Sequence, residues 1–343
     1  MFACHLPPMA IVSWFLFLLA AACVLYAGRK LTLQGEELAE QTGLAHAFIG
    51  VILLGFITSL PELISTIGAS ALVHSPNLAL GNIFGSNCCN LAILAMLGIV
   101  NLAPEKRPYT LNNDNLLTVF LSFIMIGLAS LAVLMHGRWH LAHLDFFSLA
   151  IGVAYLAGLK LLYHFQGESS PTAQGSNDNV ERQTRQHEKK QLQQKILATA
   201  GVIVIASLVL SYTAEHIART TGWGSTFVGN TILAIATSLP EMVVTFSAVR
   251  LGSFALAAGN IFGSNIFNIA ILTIADFFYF PGSLYGNAHV SQVLVTLLAI
   301  LLSSLYLFSS LYGDRRRIFG VNPGAAGIVL LYALGMYALF ILR

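Results

Sequence analysis

The sequence predicts an all-α polytopic membrane protein with ten transmembrane helices, arranged as two inverted five-helix repeats. The 343-residue chain is 56% hydrophobic and only 9% charged, whereas a soluble protein carries about 25% charged residues. Apolar stretches of about 20 residues, the length that crosses a bilayer, recur along it. Two polar motifs are repeated inside these stretches, one copy in each half. No short segments alternate polar and apolar residues as barrel strands would.

Ten apolar spans follow one another along the chain. They are predicted at residues 9–28, 44–73, 76–101, 115–136, 142–164, 194–217, 225–249, 252–280, 289–311 and 322–342. The polar stretch at 166–195 has almost no apolar residues, and this composition predicts a flexible or frayed linker. The predicted organisation is therefore a first five-helix repeat at 1–165, the linker at 166–195 and a second five-helix repeat at 196–343.

The distribution of basic residues predicts the orientation. One alternating set of loops, which includes the linker, holds 14 of the 17 Lys and Arg residues, and basic loops favour the cytoplasmic side. This places the linker in the cytoplasm and both termini outside. Because each half has an odd number of spans, the second half is inverted relative to the first.

Two motifs define the internal repeat. Thr-Ser-Leu-Pro-Glu occurs at 58–62 and again at 237–241, and Gly-Asn-Ile-Phe-Gly-Ser-Asn-x-x-Asn occurs at 81–90 and 259–268. Between 81–94 and 259–272, 11 of 14 positions are identical. The repeats extend over 50–94 and 229–272, so the sequence indicates an internal duplication. Inverted repeats of this kind are typical of transporters.

The first motif suits a cation. Glu62 and Glu241 lie in apolar spans, where carboxylates are costly and usually functional. Pro61 and Pro240 lack an N–H, so each breaks its helix and frees a backbone carbonyl. In lipid such carbonyls are tolerated only inside protein or against a cavity, and a dehydrated cation would satisfy them.

The second motif adds small polar side chains at helical spacing. The stripes are Asn82, Ser86 and Asn90 in one repeat, and Asn260, Ser264 and Asn268 in the other. Their oxygens suit calcium, which takes about 6–8 oxygen ligands, or sodium. Apart from the thiols of Cys88 and Cys89 at the two variable places of 81–90, the motifs contain no thiol or imidazole, which argues against zinc or copper. Ser, Asn and Gly also serve helix packing in membranes, so each single position leaves that role open.

Other function classes are disfavoured. The net charge of +2 is small and dispersed, so nucleic-acid binding is not expected. No nucleophile–base constellation and no cofactor motif occurs, so we expect neither an enzyme nor a bound cofactor. The four cysteines form no C-x-x-C pair, which argues against a zinc site or a disulfide framework.

Two further segments have possible ligands outside the repeats. His136, His140, His143 and Asp145 have metal-like spacing but fall at a predicted external turn, and we interpret them as an interfacial loop. Asp276 lies near the end of the eighth predicted helix and has no counterpart in the first repeat, where Gly98 stands. We interpret Asp276 as interfacial rather than as a ligand.

The two motifs resemble the α-repeats of the calcium:cation antiporter superfamily, and in particular the sodium/calcium exchanger branch and its prokaryotic members. The resemblance implies a prokaryotic inner membrane location. It implies that helices 2, 3, 7 and 8 form the site, while helices 1 and 6 slide against them. Glu62 and Glu241 would be shared between calcium and sodium, and the carbonyls of Thr58 and Thr237 would join them on calcium.

The resemblance also implies positions for sodium and a central position. One outer sodium position would be lined by Gly55, Ser59 and Ser86. The other would be lined by Ala234, Ser238 and Ser264. Asn90 and Asn268 would face the central position.

Two departures from the family pattern bear on ion coupling. Ile57 and Ala236 stand where the motif usually has Gly, and Asn268 stands where many sodium/calcium exchangers have Asp. The main prediction is an antiporter that exchanges calcium for sodium by alternating access, with no obligatory protein partner beyond the lipid bilayer. A proton-coupled calcium or cation antiporter and a passive cation channel remain the alternatives.

Overall fold

The computed structural model describes residues 8–42, 55–100, 113–141, 144–165, 179–250, 254–312 and 322–342. Helices dominate these ranges. In chain order they are α1 (Pro8–Thr42), α2 (Leu60–Ile67), α3 (Pro76–Val100), α4 (Asn113–Leu134), α5 (Phe146–Phe165), α6 (Asn179–Thr221), α7 (Ser225–Val228), α8 (Ala234–Thr237), α9 (Leu239–Arg250), α10 (Phe254–Phe277), α11 (Ser291–Tyr312) and α12 (Pro323–Ile341). A short antiparallel pair, β1 (His140–Leu141) and β2 (Leu144–Asp145), joins α4 to α5.

Many of these helices can cross a membrane. Among the described residues, seven are long and apolar enough, and the bent pair Ser225–Thr237 and Leu239–Arg250 makes an eighth. Leu60–Leu72 and Phe146–Leu162 are apolar but shorter. The chain is therefore a helical membrane protein, as the sequence predicts, while the count of ten spans stays a prediction.

The longest helices differ from the sequence prediction. α1 continues from the predicted span at 9–28 to Thr42, and α6 begins at Asn179. Residues 179–195, which composition predicts as a flexible or frayed linker, are therefore the helical start of α6. This segment is rich in Glu, Gln, Lys and Arg, which are strong helix formers, and has neither Gly nor Pro. Buried Leu31 and Ile203 join α1 and α6 in a small apolar cluster.

Helices α3 and α10, which carry the second motif, form the centre of the molecule. In each of them, 83% of the most apolar 18-residue stretch is buried, compared with 39% in α1, α4 and α6. Small residues allow this burial, because a Cβ added to Gly85 would lie 2.3 Å from the backbone oxygen of Asn230. The crossing of α3 and the 229–233 segment is therefore backbone to backbone.

Both copies of the first motif break their helix at the serine, as the prolines predict. Residues 55–58 are helical, and Ser59 is a turn residue with φ −87° and ψ 12° before α2. Ser238 has φ −81° and ψ 7° between α8 and α9, where the segments Ser225–Thr237 and Leu239–Arg250 are bent by 49°. Two π-helical turns lie in the same segments, one at the end of α2 at Gly68–Leu72 and one between α7 and α8 at Gly229–Leu233. Such turns are frequent at functional sites.

Candidate cation site

The two glutamates lie in one buried cluster and are held crosswise. Ser59 Oγ donates to Glu241 Oε1 at 2.9 Å, and Ser238 Oγ donates to Glu62 Oε1 at 3.0 Å. The carboxylate of each repeat is thus held by the serine at the helix break of the other repeat. All four side chains have no exposed surface.

The second oxygen of each carboxylate lacks a partner. Glu62 Oε2 and Glu241 Oε2 are buried without a hydrogen bond among the described residues, and the same is true of Asn90 Oδ1 and Asn268 Oδ1. These four oxygens come from equivalent positions of the two sequence repeats. Buried acceptors are normally satisfied, and an unpaired buried carboxylate is especially costly. A cation that lies against any of these oxygens would satisfy it.

Two hydroxyl clusters flank the glutamates. Ser86 Oγ lies 3.5 Å from Glu62 Oε1, 3.4 Å from the carbonyl oxygen of Ala234 and 3.5 Å from Thr237 Oγ1. With Ser238, these residues form the Glu62 cluster.

The Glu241 cluster is built from the equivalent positions. Thr58 Oγ1 lies 3.3 Å from Ser264 Oγ and donates to the carbonyl of Gly55 at 3.2 Å. A Cβ on Gly55 would lie 3.3 Å from the backbone nitrogen of Ser264. The Ser59–Glu241 and Thr58–Ser264 contacts repeat the Ser238–Glu62 and Thr237–Ser86 contacts of the first cluster.

These contacts correct the grouping of serines that the resemblance implied. Ser86 lies with Ala234 rather than with Gly55 and Ser59, and Ser264 lies with Gly55 rather than with Ala234 and Ser238. The reason is the close crossing of the central helices, because each motif serine reaches the broken helix of the opposite repeat.

Asn82 and Asn260 brace the glutamate-bearing helices. Asn82 Nδ2 donates to Thr66 Oγ1 at 2.9 Å, and Asn260 Nδ2 donates to Thr245 Oγ1 at 3.1 Å. Asn82 Oδ1 also accepts a hydrogen bond from Thr237 Oγ1 at 3.1 Å. Asn260 Oδ1 has no partner in the described part of the chain, so the two repeats differ here.

Four asparagines link α3 to α10 across the centre. Asn90 Nδ2 donates to Asn265 Oδ1 at 3.0 Å, and Asn268 Nδ2 donates to Asn87 Oδ1 at 3.1 Å. Asn87 and Asn265 also donate to each other's backbone carbonyl, at 3.2 and 3.4 Å. Neither Asn87 nor Asn265 is among the residues that the sequence predicts for the site. Their presence at the same position of both motif copies was the available signal.

The groups around the two glutamates offer carboxylate, hydroxyl, amide and carbonyl oxygens, and two of these groups are carboxylates. In the part of the chain that the structure describes, both carboxylates accept hydrogen bonds from serine hydroxyls, with no Lys or Arg among the donors. The carboxylates and neutral oxygens match the preference of calcium for oxygen ligands. A cation that binds here exchanges its hydration shell for fixed protein oxygens.

Asp145 and Asp276 lie apart from this site and serve another purpose. Asp276 Oδ2 accepts from the backbone N–H of Asp145 at 2.7 Å, and Asp276 Oδ1 accepts from the N–H of Leu284 at 2.8 Å. Asp145 Oδ2 accepts from Ser283 Oγ at 3.1 Å. Both carboxylates therefore tie the loop after α10 to the β1–β2 turn, and the side chains of His140 and His143 lie outside the described residues.

Comparison with known proteins supports a transporter of cations. A family model described as sodium/calcium exchanger protein matches residues 12–159 and 193–343. The inner membrane protein YrbG of Escherichia coli K12 is 28% identical over 294 residues, which cover 84% of this chain and 87% of that protein. The sodium/calcium exchanger MaX1 of Methanosarcina acetivorans is 26% identical over 340 residues, which cover 91% of this chain and 95% of that protein.

Solved structures share the fold. The sodium-calcium exchanger NCX_Mj, soaked with sodium and without calcium, aligns with a TM-score of 0.61 at 19% identity, covering 96% of this chain and 99% of that one. The H+/Ca2+ exchanger CAX aligns with a TM-score of 0.63 at 16% identity, covering 95% and 88%. Since the family model matches both halves of the sequence, the chain belongs to the sodium/calcium exchanger family of membrane transporters, within the calcium:cation antiporter superfamily.

Proposed function

We propose that this protein is a secondary antiporter that exchanges calcium for sodium at the Glu62–Glu241 site. The observation that carries the proposal is the set of four buried oxygens without partners, two from carboxylates and two from amides. They come in equivalent pairs from the two repeats, so one ion between them would contact both halves of the chain. Two carboxylates neutralise one calcium.

Each group in the site has a proposed role. Calcium would lie between Glu62 and Glu241, joined by the backbone carbonyls of Thr58 and Thr237. Asn90 and Asn268 would face the central position.

The two hydroxyl clusters would hold sodium. One sodium position would be formed by Glu62 with Ser86, Ala234, Thr237 and Ser238. The other would be formed by Glu241 with Gly55, Thr58, Ser59 and Ser264.

The proposed topology has ten transmembrane helices in two inverted five-helix repeats, at 1–165 and 196–343. Both termini would face outside and residues 166–195 would lie in the cytoplasm of a prokaryotic inner membrane. The proposed ion ligands are all buried, an arrangement that suits a carrier with a closed intermediate better than an open channel. Sliding of α1 and α6 past the other helices would then expose the site to one side at a time.

Ion coupling follows from the charge of the site. The empty site carries two negative charges, and moving it through an apolar barrier is costly. Bound calcium or bound sodium lowers that cost. Exchange therefore requires an ion in each direction. Only an ion that binds the outward-open and inward-open states with different affinity drives the change between them.

Flux into proteoliposomes tests the proposal. With sodium loaded inside and sodium-free calcium-45 outside, we expect uptake that stops when the sodium gradient is abolished. A matched set of vesicles carries a pH gradient and no sodium. If neither set of vesicles takes up calcium, calcium antiport is contradicted.

A proton-coupled antiporter is the second candidate, and Asn268 favours it. With Asn at both 90 and 268, the site has two carboxylates, and two protons would neutralise them as well as two sodium ions. If a pH gradient drives calcium uptake without sodium, the coupling ion is the proton and not sodium. Uptake that needs no counter-ion would indicate a channel.

A further inference from the structure

The orientation of two amides decides what the site offers to a cation. An asparagine side chain has an oxygen that attracts a cation and an NH₂ group that repels it. In Asn90 the nitrogen is taken by Asn265 Oδ1, and in Asn268 it is taken by Asn87 Oδ1. The oxygens of Asn90 and Asn268 are the atoms left without partners among the described residues.

Asn87 and Asn265 are themselves held in one orientation. Each donates its Nδ2 to the backbone carbonyl of the other. A flip of either amide would set its oxygen against that carbonyl, and two buried acceptors would face each other without a proton between them. All four side chains are buried, so water cannot repair such a flip.

We propose that Asn87 and Asn265 are positioning residues of the cation site. Together with Asn90 and Asn268 they form an asparagine clasp, in which each positioning asparagine holds the amide of the other repeat. Neither touches the ion. Each leaves the oxygen, and not the nitrogen, of its partner free for a cation. The role in ion binding rests on the proposed function of calcium exchange at this site.

The clasp also gives a reason for asparagine at position 268. Asn87 Oδ1 accepts a hydrogen bond from this side chain, so it requires a donor there. Asparagine supplies one. An ionised aspartate would set a second acceptor against Asn87 Oδ1.

Double-mutant cycles test the crossed pairing. In the full-length protein, Asn87→Leu should weaken calcium-45 binding about tenfold, the worth of a hydrogen bond of about 1.4 kcal/mol. The clasp predicts that Asn87→Leu adds little in an Asn268→Leu background, because the amide that it orients is gone. In an Asn90→Leu background, the matched control, the full tenfold loss should persist. Asn265→Leu should couple to Asn90→Leu in the same way.

Thermal unfolding in ion-free buffer separates the clasp from the proposed function. The crossed pairs are Asn87 with Asn268 and Asn265 with Asn90. Their double variants should show non-additive shifts of Tm, whereas the double variant of Asn87 and Asn90 should show an additive shift. If the leucine variants do not fold, alanine replaces leucine throughout, since it introduces no clash. Additive shifts for the crossed pairs, or equal coupling in all pairs, would overturn the clasp. If the crossed pairs show non-additive Tm shifts but the wild-type protein binds no calcium, the clasp stands and the calcium site is overturned.

Discussion

At the scale of single residues, each glutamate depends on the other repeat for a hydrogen bond. The Ser59–Glu241 and Ser238–Glu62 bonds cross between the two breaks. A hydrogen bond to a charged group contributes about 1.5–3 kcal/mol, so the crossed pair helps to hold the two carboxylates together when no cation is present.

Glu62→Gln and Glu241→Gln should each abolish exchange. Each removes one of the two charges that attract calcium, and at close range this costs about 3 kcal/mol, on the order of a hundredfold in affinity. Calcium-45 flux in proteoliposomes measures the effect. The control is Glu215→Gln, which removes a carboxylate paired with Arg219 at 2.9 Å outside the site and should keep most of the flux. Full flux in either site variant contradicts the assignment.

Ser59→Ala and Ser238→Ala should have equal effects. Each removes a hydroxyl that holds a carboxylate and lines a proposed sodium position, so the apparent KM for sodium should rise on the order of tenfold. Ser247→Ala is the control, because Ser247 is exposed and donates to the carbonyl of Val243 on its own helix. A rise in KM for one serine alone would show that the crossed arrangement is not symmetric in function.

The sequence predicted much of this site but not its hydrogen-bond pairing. Glu62 and Glu241 could be found because a carboxylate in an apolar span is costly and occurs twice. The partner of each serine could not be found, since it depends on how two breaks face each other in space. For the same reason the sequence motif could not distinguish Asn87 from Asn90, which differ only in what lies across the helix crossing.

At the scale of elements, the site depends on broken helices packed closely against unbroken ones. The breaks at Ser59 and Ser238 follow from a proline two residues later, which the sequence already indicates. The close crossing depends on glycine, because α3 meets the π-helical turn at 229–233 with no room for a Cβ at Gly85. Bends and close approach together bring both serine-bearing breaks to the glutamates.

Gly85→Ala should destabilise the protein. Its Cβ would lie 2.3–2.6 Å from three backbone atoms of Asn230, which cannot rotate away, and overpacking of this kind costs about 1–3 kcal/mol. Thermal unfolding in detergent should show a lower Tm and a loss of flux. Gly201→Ala provides the comparison, because nothing lies within 4 Å of its Cβ, and alanine in a helix should leave Tm equal or higher. Equal Tm for both variants would contradict the crossing.

The start of α6 shows where composition misleads at this scale. Residues 179–195 are polar enough to suggest a linker, but their helix propensity is high and the segment continues into the apolar part of α6. Adding turns to an existing helix avoids the cost of nucleation. The polar composition of residues 179–195 indicates that they cannot form a hydrophobic core. It does not indicate whether they are helical, because that depends on the apolar part of α6 that follows them.

At the scale of the whole molecule, two sequence repeats meet at one buried centre. Of the seven long apolar helices in the described ranges, α3 and α10 are the most buried, while α1 and α6 expose much of their surface. This division suits the proposed mechanism, in which the central helices hold the ions and the outer pair moves past them.

The proposed orientation can be tested by labelling. In a background without the four native cysteines, His136→Cys and Lys190→Cys each place one thiol at an exposed position. Intact cells treated with a membrane-impermeant maleimide should label His136→Cys, and Lys190→Cys should be labelled only after permeabilisation. The reverse pattern would invert the topology, and labelling of both from outside would contradict a cytoplasmic start of α6.

Calcium binding to the purified protein tests most directly whether Glu62 and Glu241 share one ion. Equilibrium calcium-45 binding to the wild type should saturate at one calcium per chain, displaced by sodium. Glu62→Gln and Glu241→Gln should each reduce binding to background under the same conditions. Two calcium ions per wild-type chain, or one calcium retained with unchanged affinity in either variant, would contradict a single site built from both repeats.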